Sequence, residues 1–298
     1  MQYALKASDL ARWRQTGAFL ARFTGAEMVS VVASTDAAVA AAVLPKPLQV
    51  PEDPVITAFV AHYPETNFGV DYYEGALFMG AEYRGEQGSY CMAMPVDDDL
   101  AMVLGREGLG FPKKMADHIS LERDGARVVG SVVRHGVEIL HIEGDAHEEV
   151  IPEPGWGSRE VRDLEGRPAG AFTSFLFKYS MAADGGIFAH LPQFVRQVTL
   201  MAPREGTIEG VQGAKLELVS SRVDALAEIP AYDILSASYG VFDSTMLPGK
   251  VLRRVYNPLA FAPYAMFKND VFAYVDPATL PELTRGERRK QHRALAKY

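Results

Sequence analysis

Short segments rich in apolar and β-branched residues follow one another from Val55 onward, and turn signals such as Arg84-Gly85-Glu86 and Arg123-Asp124-Gly125 separate them. The predicted strands are Val55 to His62, Phe68 to Tyr83, Gly88 to Met94, His118 to Glu122, Val128 to Arg134 and Val137 to Glu143. No long helix alternates with these strands, and no glycine fingerprint opens a helix, so the pattern argues against a dinucleotide-binding fold. The succession of strands and short turns predicts a sheet system that is mainly antiparallel.

The remainder of the chain adds a few helices and further strands. Residues Ala26 to Ala33 are predicted as a strand, and Asp36 caps an alanine-rich helix that ends before Pro45. A short helix is predicted from Ser8 to Gln15 and another from Ile234 to Phe242. A loop is predicted from Glu148 to Gly170, and the further strands are Ala171 to Ser180, Phe194 to Met201, Thr207 to Glu209 and Ala214 to Ser221.

Composition narrows the class of protein. The 298 residues are 48% hydrophobic, which is enough for a substantial core, and carry a net charge of -8. We expect no nucleic-acid partner, because a nucleic-acid-binding surface needs a basic patch.

Cys91 is the only cysteine, so no intramolecular disulfide can form, and we expect a small buried thiol. The amino terminus lacks a signal-peptide pattern and no stretch approaches ~20 apolar residues, so we expect a cytoplasmic protein without a membrane partner.

Two adjacent lysines, Lys113 and Lys114, follow Pro112 and the glycine-rich run from Gly105 to Phe111. Such a pair is most often a solvated surface pair, since lysine is rarely buried. Here, however, three glycines within six residues indicate backbone that passes close to another group, and the proline favours an extended chain. A lysine attacks a carbonyl only as the free amine, which burial or a nearby positive charge favours. From these residues alone, Lys113 and Lys114 can be interpreted either as an exposed surface pair or as the site of a nucleophilic amine.

At these positions the sequence resembles the acetoacetate decarboxylase superfamily. The similarity rests on Gly105-Arg106-Glu107 and Pro112-Lys113-Lys114, preceded in the same order by Tyr72-Tyr73-Glu74-Gly75 and Pro95-Val96-Asp97-Asp98-Asp99. It extends from about Ala26 to Val255. The resemblance implies an α+β fold that is mainly antiparallel β, with a barrel or cone-like core and a few peripheral helices.

The resemblance also implies roles for individual residues. Lys113 matches the family's imine-forming lysine, Lys114 its cationic neighbour and Glu74 a glutamate of the active site, which makes Glu74 the best candidate acid or base. Activation of a lysine by its surroundings is the explanation commonly given for this family itself, so that rationale comes with the resemblance. Because successive residues of a strand point to opposite faces, we expect burial to activate Lys113 more than the charge of Lys114 does.

Several further residues are candidates for the substrate pocket. Phe111, Phe78, Met92 and Met94 are plausible pocket walls, although ordinary core packing explains each of them equally well. Arg106 and Glu107 match family positions, but the arginine fork suits hydrogen bonding within the loop better than contact with substrate. We expect no cofactor. Metal is not expected either, because no His-x-x-x-His motif and no clustered carboxylate pattern suggests a metal site.

The chain departs from the family's decarboxylases at two places. An arginine early in the first core strand has no counterpart, since only Arg22 lies near Gly25-Ala26. A second glutamate of the family corresponds to Phe59. We therefore expect a Schiff-base-forming lyase acting on a small keto acid, with decarboxylation of a β-keto acid as the best single reaction. An imine-dependent aldolase or dehydratase, or a non-catalytic protein that binds a carbonyl ligand, stays open.

The resemblance divides the chain into three parts. Residues 1–25 form an amino-terminal arm, residues 26–255 the decarboxylase-like domain and residues 256–298 a carboxyl-terminal extension. The aromatic-rich run from Tyr256 to Tyr274 is too apolar for a free tail, so we expect it to wrap a neighbouring subunit or to cover a pocket. A homo-oligomer is therefore expected.

Overall fold

The computed structural model describes residues 4, 6–15, 20–149, 157–183, 187–270 and 281–295. Fifteen strands lie in these ranges: β1 Ala21–Ser34, β2 Val55–Tyr63, β3 Glu65–Thr66, β4 Tyr72–Tyr83, β5 Glu86–Val96, β6 Lys113–Met115, β7 His118–Asp124, β8 Arg127–Arg134, β9 Val137–Glu149, β10 Ser158–Arg162, β11 Pro168–Lys178, β12 Gln193–Pro203, β13 Glu209–Leu218, β14 Ile234–Met246 and β15 Lys250–Arg254. The α-helices are α1 Ala7–Gln15, α2 Ala37–Val43, α3 Asp99–Val103, α4 Pro258–Ala265 and α5 Arg285–Leu295. A π-helical turn spans Leu104–Leu109, and 3₁₀ turns span Leu226–Glu228 and Met266–Asn269.

Seven strands close into a barrel. Their order is β1, β2, β4, β5, β11, β12 and β14, and β14 pairs with β1 again to complete the circle. Neighbouring strands are antiparallel except β5 and β11, which are parallel and pair only at Ser89–Ser174 and Tyr90–Phe175. The short β6 pairs with the end of β5 beyond that point. The expected α+β class with a mainly antiparallel barrel is confirmed.

A second layer of strands covers one side of the barrel. Strand β13 continues the sheet from β14, and β9, β8 and β7 follow it. The layers pack closely at Gly130, where a Cβ would lie 2.8 Å from Cβ of Val60 and 3.0 Å from Cγ1 of Val29. Helix α2 joins the same core through Ala40, which is fully buried. The main hydrophobic core therefore joins the barrel strands, the second layer and α2, while separate apolar clusters form on other parts of the barrel strands.

The predicted strands before residue 144 and the helix capped by Asp36 are confirmed, with small changes at their ends. The predicted helix from Ile234 to Phe242 is wrong. This segment belongs to β14, which pairs with β1 along most of its length and also with β12 and β13. Ladder hydrogen bonds on both edges outweigh the weak helical propensity of Ile-Leu-Ser-Ala-Ser-Tyr-Gly-Val-Phe.

The predicted loop from Glu148 to Gly170 contains strand β10 and the beginning of β11, and its residues 150–156 lie outside the described residues. In the carboxyl-terminal part, Phe261 of α4 stacks on Phe177 of β11, with ring centroids 4.7 Å apart. Phe261 of the aromatic run thus packs on its own barrel, whereas Tyr256 at the start of the run is 75% exposed. Residues 271–274 of the run lie outside the described ranges. No helix in the described part of the chain has the length and apolar content needed to cross a membrane.

Candidate active site

A buried lysine and a buried glutamate meet near one end of β5. Glu74 lies on β4 and Lys113 on β6, and these strands pair with opposite edges of β5. Nζ of Lys113 is 2.5 Å from Oε2 of Glu74, and the two residues are only 6% and 4% exposed. Two charged groups so far from water are retained in a fold mainly when they are paired, and such pairs are common at functional sites.

One glycine lies directly against the side chain of Lys113. Phe111 and Pro112 lead into β6, which begins at Lys113. A Cβ on Gly105 would lie 2.6 Å from Cε and 2.7 Å from Cδ of Lys113, so only glycine allows the lysine stem to pass this close. The glycine-rich run therefore accommodates Lys113, which explains the glycine at position 105.

Tyrosine rings complete the polar part of the site. The Tyr72 ring centroid lies 5.2 Å from Nζ of Lys113, within range of a cation–π interaction, and Tyr72 stacks on Tyr63 at 4.9 Å. Burial, and after it the carboxylate of Glu74, raises the pKa of both phenols well above its usual value. Both tyrosines therefore stay neutral near Glu74 and Lys113.

An apolar cluster lies beside this pair, since Met94 pairs with Lys113 in the sheet. Phe111 and Phe78 belong to the same cluster as Met94, together with Cys91 and Leu176. Burial and, after it, the carboxylate of Glu74 raise the pKa of the Cys91 thiol, whereas the charge of Lys113 lowers it. The thiol therefore lies within electrostatic range of the Lys113–Glu74 pair. Three of the four predicted wall residues are thus brought together.

Met92 is not brought into this cluster. A β-bulge lies where Leu77 pairs with Ala93 and Phe78 with Cys91, so Met92 is the extra residue of β5. A bulge changes the face to which the neighbouring side chains point. Met92 packs instead against the main hydrophobic core.

Arg106 and Glu107 lie beside the pair rather than in it. The Arg106 guanidinium donates to the carbonyl of Lys113 at 3.3 Å and to Oδ1 of Asn269 at 3.0 Å. These hydrogen bonds connect the π-helical turn to β6 and to the carboxyl-terminal segment. They agree with the prediction that this arginine forms hydrogen bonds within the protein rather than with substrate. Glu107 is exposed.

Lys114 points away from Lys113 into a cluster of four charges. Its Nζ lies 2.9 Å from Oδ1 of Asp224 and 2.7 Å from Oδ1 of Asp270, and Arg134 binds the second oxygen of each carboxylate. Burial raises the pKa of Asp224, but Lys114 and Arg134 together outweigh burial and hold it below its usual value. Two cations and two anions balance here, so Lys114 presents little uncompensated charge to Lys113.

The two departures from the family pattern are visible in the fold. Arg22 is largely exposed and pairs with Glu165 at 3.3 Å. Phe59 packs against the same cluster as Phe111, and its ring stacks on Phe78 with centroids 6.1 Å apart. In the described ranges no group of three His, Cys, Asp or Glu side chains is arranged to hold a metal ion.

Comparison with known proteins decides the family. A model of the acetoacetate decarboxylase family matches residues 9–256. The chain belongs to the acetoacetate decarboxylase family. The match begins at residue 9, whereas the sequence resemblance described above begins at about Ala26.

Individual members of the family show how far the similarity extends. An acetoacetate decarboxylase of Burkholderia vietnamiensis is 32% identical over 243 residues, which is 80% of this chain and 89% of that protein. A CLA biosynthesis isomerase of Lactiplantibacillus plantarum is 26% identical over 225 residues, 74% of this chain and 79% of the other. The crystal structure of an acetoacetate decarboxylase from Legionella pneumophila superposes with a TM-score of 0.67 at 22% identity, over 78% of this chain and 87% of that one.

Some residues of the site escaped sequence reasoning. Tyr72 stands two positions before Glu74, so strand alternation alone puts both on one face and could have identified it. Asp224 and Asp270 offered no such signal. They reach Lys114 from more than a hundred residues away, and only the assembled fold brings them together.

Proposed function

We propose that this chain is a Schiff-base-forming lyase that acts on a small keto acid through Lys113. Decarboxylation of a β-keto acid is the reaction that we favour. The observation that carries the proposal is the buried contact of 2.5 Å between Nζ of Lys113 and Oε2 of Glu74 inside an apolar wall. Membership of the acetoacetate decarboxylase family supports it.

The reaction begins with proton transfer. An ammonium at Lys113 passes a proton to Glu74, and the free amine attacks the ketone carbon of the substrate. Glu74 returns this proton to the hydroxyl of the adduct, which leaves as water, and the resulting protonated imine withdraws electrons from the neighbouring bond. That carbon–carbon bond breaks, carbon dioxide leaves, and its bonding electrons form an enamine.

The second half returns the proton and frees the lysine. Glu74 takes up one proton from solvent and passes it to the enamine carbon, and water hydrolyses the resulting imine to release the ketone and the lysine. The apolar wall of Phe111, Phe78 and Met94 keeps bulk water away from the pair. A carboxylate loses its charge when carbon dioxide leaves, and an apolar wall favours that loss of charge.

An imine-dependent aldolase or dehydratase is the second candidate. It is favoured by Phe59, which stands where the family's decarboxylases have a glutamate, and by Arg22, which pairs with Glu165 at the surface. The relative described as an isomerase also has a different named activity. The same imine at Lys113 would serve these reactions. A protein that binds a carbonyl ligand without turnover is the remaining alternative.

Incubation with β-keto acids and with aldehydes tests the proposal. Carbon dioxide release from a β-keto acid, together with a borohydride-trapped adduct, supports the decarboxylase. Carbon–carbon bond formation or loss of water without carbon dioxide supports the second candidate. Trapping without any turnover would support a binding protein.

Assembly into a homo-oligomer also stays a prediction. The aromatic carboxyl-terminal run already packs on its own barrel through Phe261, so α5 is the part of the extension better suited to a contact between subunits. Light scattering of the full chain and of a chain that ends before Thr284 measures whether the mass changes.

A further inference from the structure

A small cavity lies where β5 and β11 diverge, and through Cys91 and Leu176 it adjoins the apolar cluster beside Lys113. Its volume is about 20 Å³, which is space for one or two water-sized groups. Its lining also includes aromatic side chains: Tyr90 from β5, Phe177 from β11, Tyr179 just after β11, and Phe261 and Tyr264 from α4. We refer to it as the Lys268 cavity, after the lysine that lines it.

Lys268 is a buried cation without a counter-ion in the described part of the chain. The residue is 4% exposed, and its Nζ has no hydrogen-bond partner among the described residues. Nζ lies 4.6 Å from the ring centroid of Tyr179, whose hydroxyl already donates to the carbonyl of Ala265 at 2.8 Å. The Tyr179 ring therefore offers Nζ a cation–π contact but does not accept a hydrogen bond from it.

The surroundings of Lys268 are positive. Burial, and after it the charge of Arg106, lowers the pKa of its ammonium to about 8, with a further contribution from Lys178 and with Glu107 opposing them. Arg106 donates to Asn269 beside Lys268, so its charge is held in place. A site with buried donors and an excess of positive charge is matched by an anion.

We propose that Lys268 is the centre of a binding site for a small monovalent anion, of the size of chloride or formate. The ammonium supplies up to three donors, the aromatic walls exclude water, and Arg106 and Lys178 add attraction. The volume excludes larger anions such as a nucleotide phosphate. The site adjoins the apolar cluster beside Lys113, but Lys113 does not line the cavity, and the proposal does not depend on the proposed function.

Formate in a chloride-free buffer is the probe, followed by calorimetry and by NMR of protein labelled with ¹³C-lysine. We expect one saturable site at pH 7 and a higher titration midpoint of the Lys268 resonance with formate than without it. With a pKa of about 8, the charged fraction falls from about nine tenths at pH 7 to about one tenth at pH 9, so formate affinity should fall about tenfold. Chloride should compete with formate.

Three variants locate the site. Lys268→Met keeps an unbranched chain but removes the charge, so the saturable formate site should be lost. Lys250→Met changes an exposed lysine of β15 and should bind as the wild type does. Lys113→Met should also keep the site, which separates it from the barrel interior.

A folded Lys268→Met protein that binds formate like the wild type would overturn the proposal. Equal formate affinity at pH 7 and pH 9 would overturn it too. If Lys268→Met fails to fold, the lysine resonances of the wild-type protein test the proposal instead. A lysine other than Lys113 that titrates near pH 8 and responds to formate supports the site, and no such response refutes it.

Discussion

Lys113 and Lys114 are neighbours in the chain and similarly buried, at 6% and 8% exposure, yet they meet different charges. Lys113 meets a single carboxylate inside an apolar wall, whereas Lys114 meets two carboxylates that it shares with an arginine. A balanced cluster holds its charges fixed, while a lone pair can pass a proton and become neutral. Burial alone therefore does not distinguish the two lysines, whereas the number of carboxylate partners does.

The comparison is tested most strongly by removing the single partner of Lys113. Glu74→Gln keeps the shape but cannot carry the proton, so kcat should fall about 10²- to 10⁴-fold. Borohydride labelling of Lys113 should persist, because the amine is unchanged. Turnover within threefold of the wild type would remove Glu74 from the mechanism.

The cluster around Lys114 should matter for stability. Asp224→Asn leaves Lys114 and Arg134 short of one carboxylate, and we expect a loss of about 3–5 kcal/mol in the free energy of unfolding at pH 7. Denaturant unfolding measures it, with the exposed Asp145→Asn as a control that should change stability by less than about 0.5 kcal/mol.

The pH dependence of that loss follows from the lowered pKa of Asp224 in the folded protein. The stabilisation from Asp224 is present above the unfolded pKa of about 3.9 and disappears as the pH falls through the lower folded value. The unfolding free energies of the wild type and of Asp224→Asn should therefore converge in acid. A difference that stays constant down to pH 2 would contradict this assignment.

Two glycines of one turn test how tightly Lys113 is held. A Cβ at Gly105 would lie 2.6 Å from Cε of Lys113, whereas nothing lies within 4 Å of a Cβ at Gly108. Gly105→Ala should displace the amine and lower kcat about 10- to 100-fold. Gly108→Ala should leave turnover close to the wild type. Equal activity of the two variants would show that the position of Lys113 tolerates the change.

The smallest effect is expected where the charge is already balanced. Lys114→Met should leave borohydride labelling of Lys113 within about threefold of the wild type, because Asp224 and Asp270 already compensate the charge of Lys114. Labelling at pH 7 followed by mass spectrometry measures it. A loss of labelling of more than about tenfold would mean that Lys114 activates its neighbour directly.

The local sequence pattern predicts many of the strands and helices, but few of the side-chain contacts in the site. Alternation predicted β2 and β8, and the capping residue Asp36 predicted α2. The segment from Ile234 was mistaken for a helix, because its short apolar pattern fits both periods and only its pairing partners decide. Met92 was predicted beside Met94, but a bulge in β5 breaks the alternation on which that prediction depended.

The site itself divides in the same way. The motifs pointed to Lys113 and Glu74 through family resemblance, and their order in the chain could not give the contact of 2.5 Å. The partners of Lys114 come from distant parts of the chain, so no local pattern could name Asp224 or Asp270. Lys268 escaped notice as well, since a lone lysine in an aromatic run looks like any surface charge.

The central claim is that the amine of Lys113, and not that of Lys114 or Lys268, forms the imine. Borohydride reduction in the presence of a keto acid that the protein turns over, followed by peptide mass mapping, tests it directly. We predict one adduct per chain on Lys113, and neither adduct nor turnover in Lys113→Arg, which keeps the charge but lacks the primary amine. Normal turnover by Lys113→Arg, or an adduct on a lysine other than Lys113, would contradict the account.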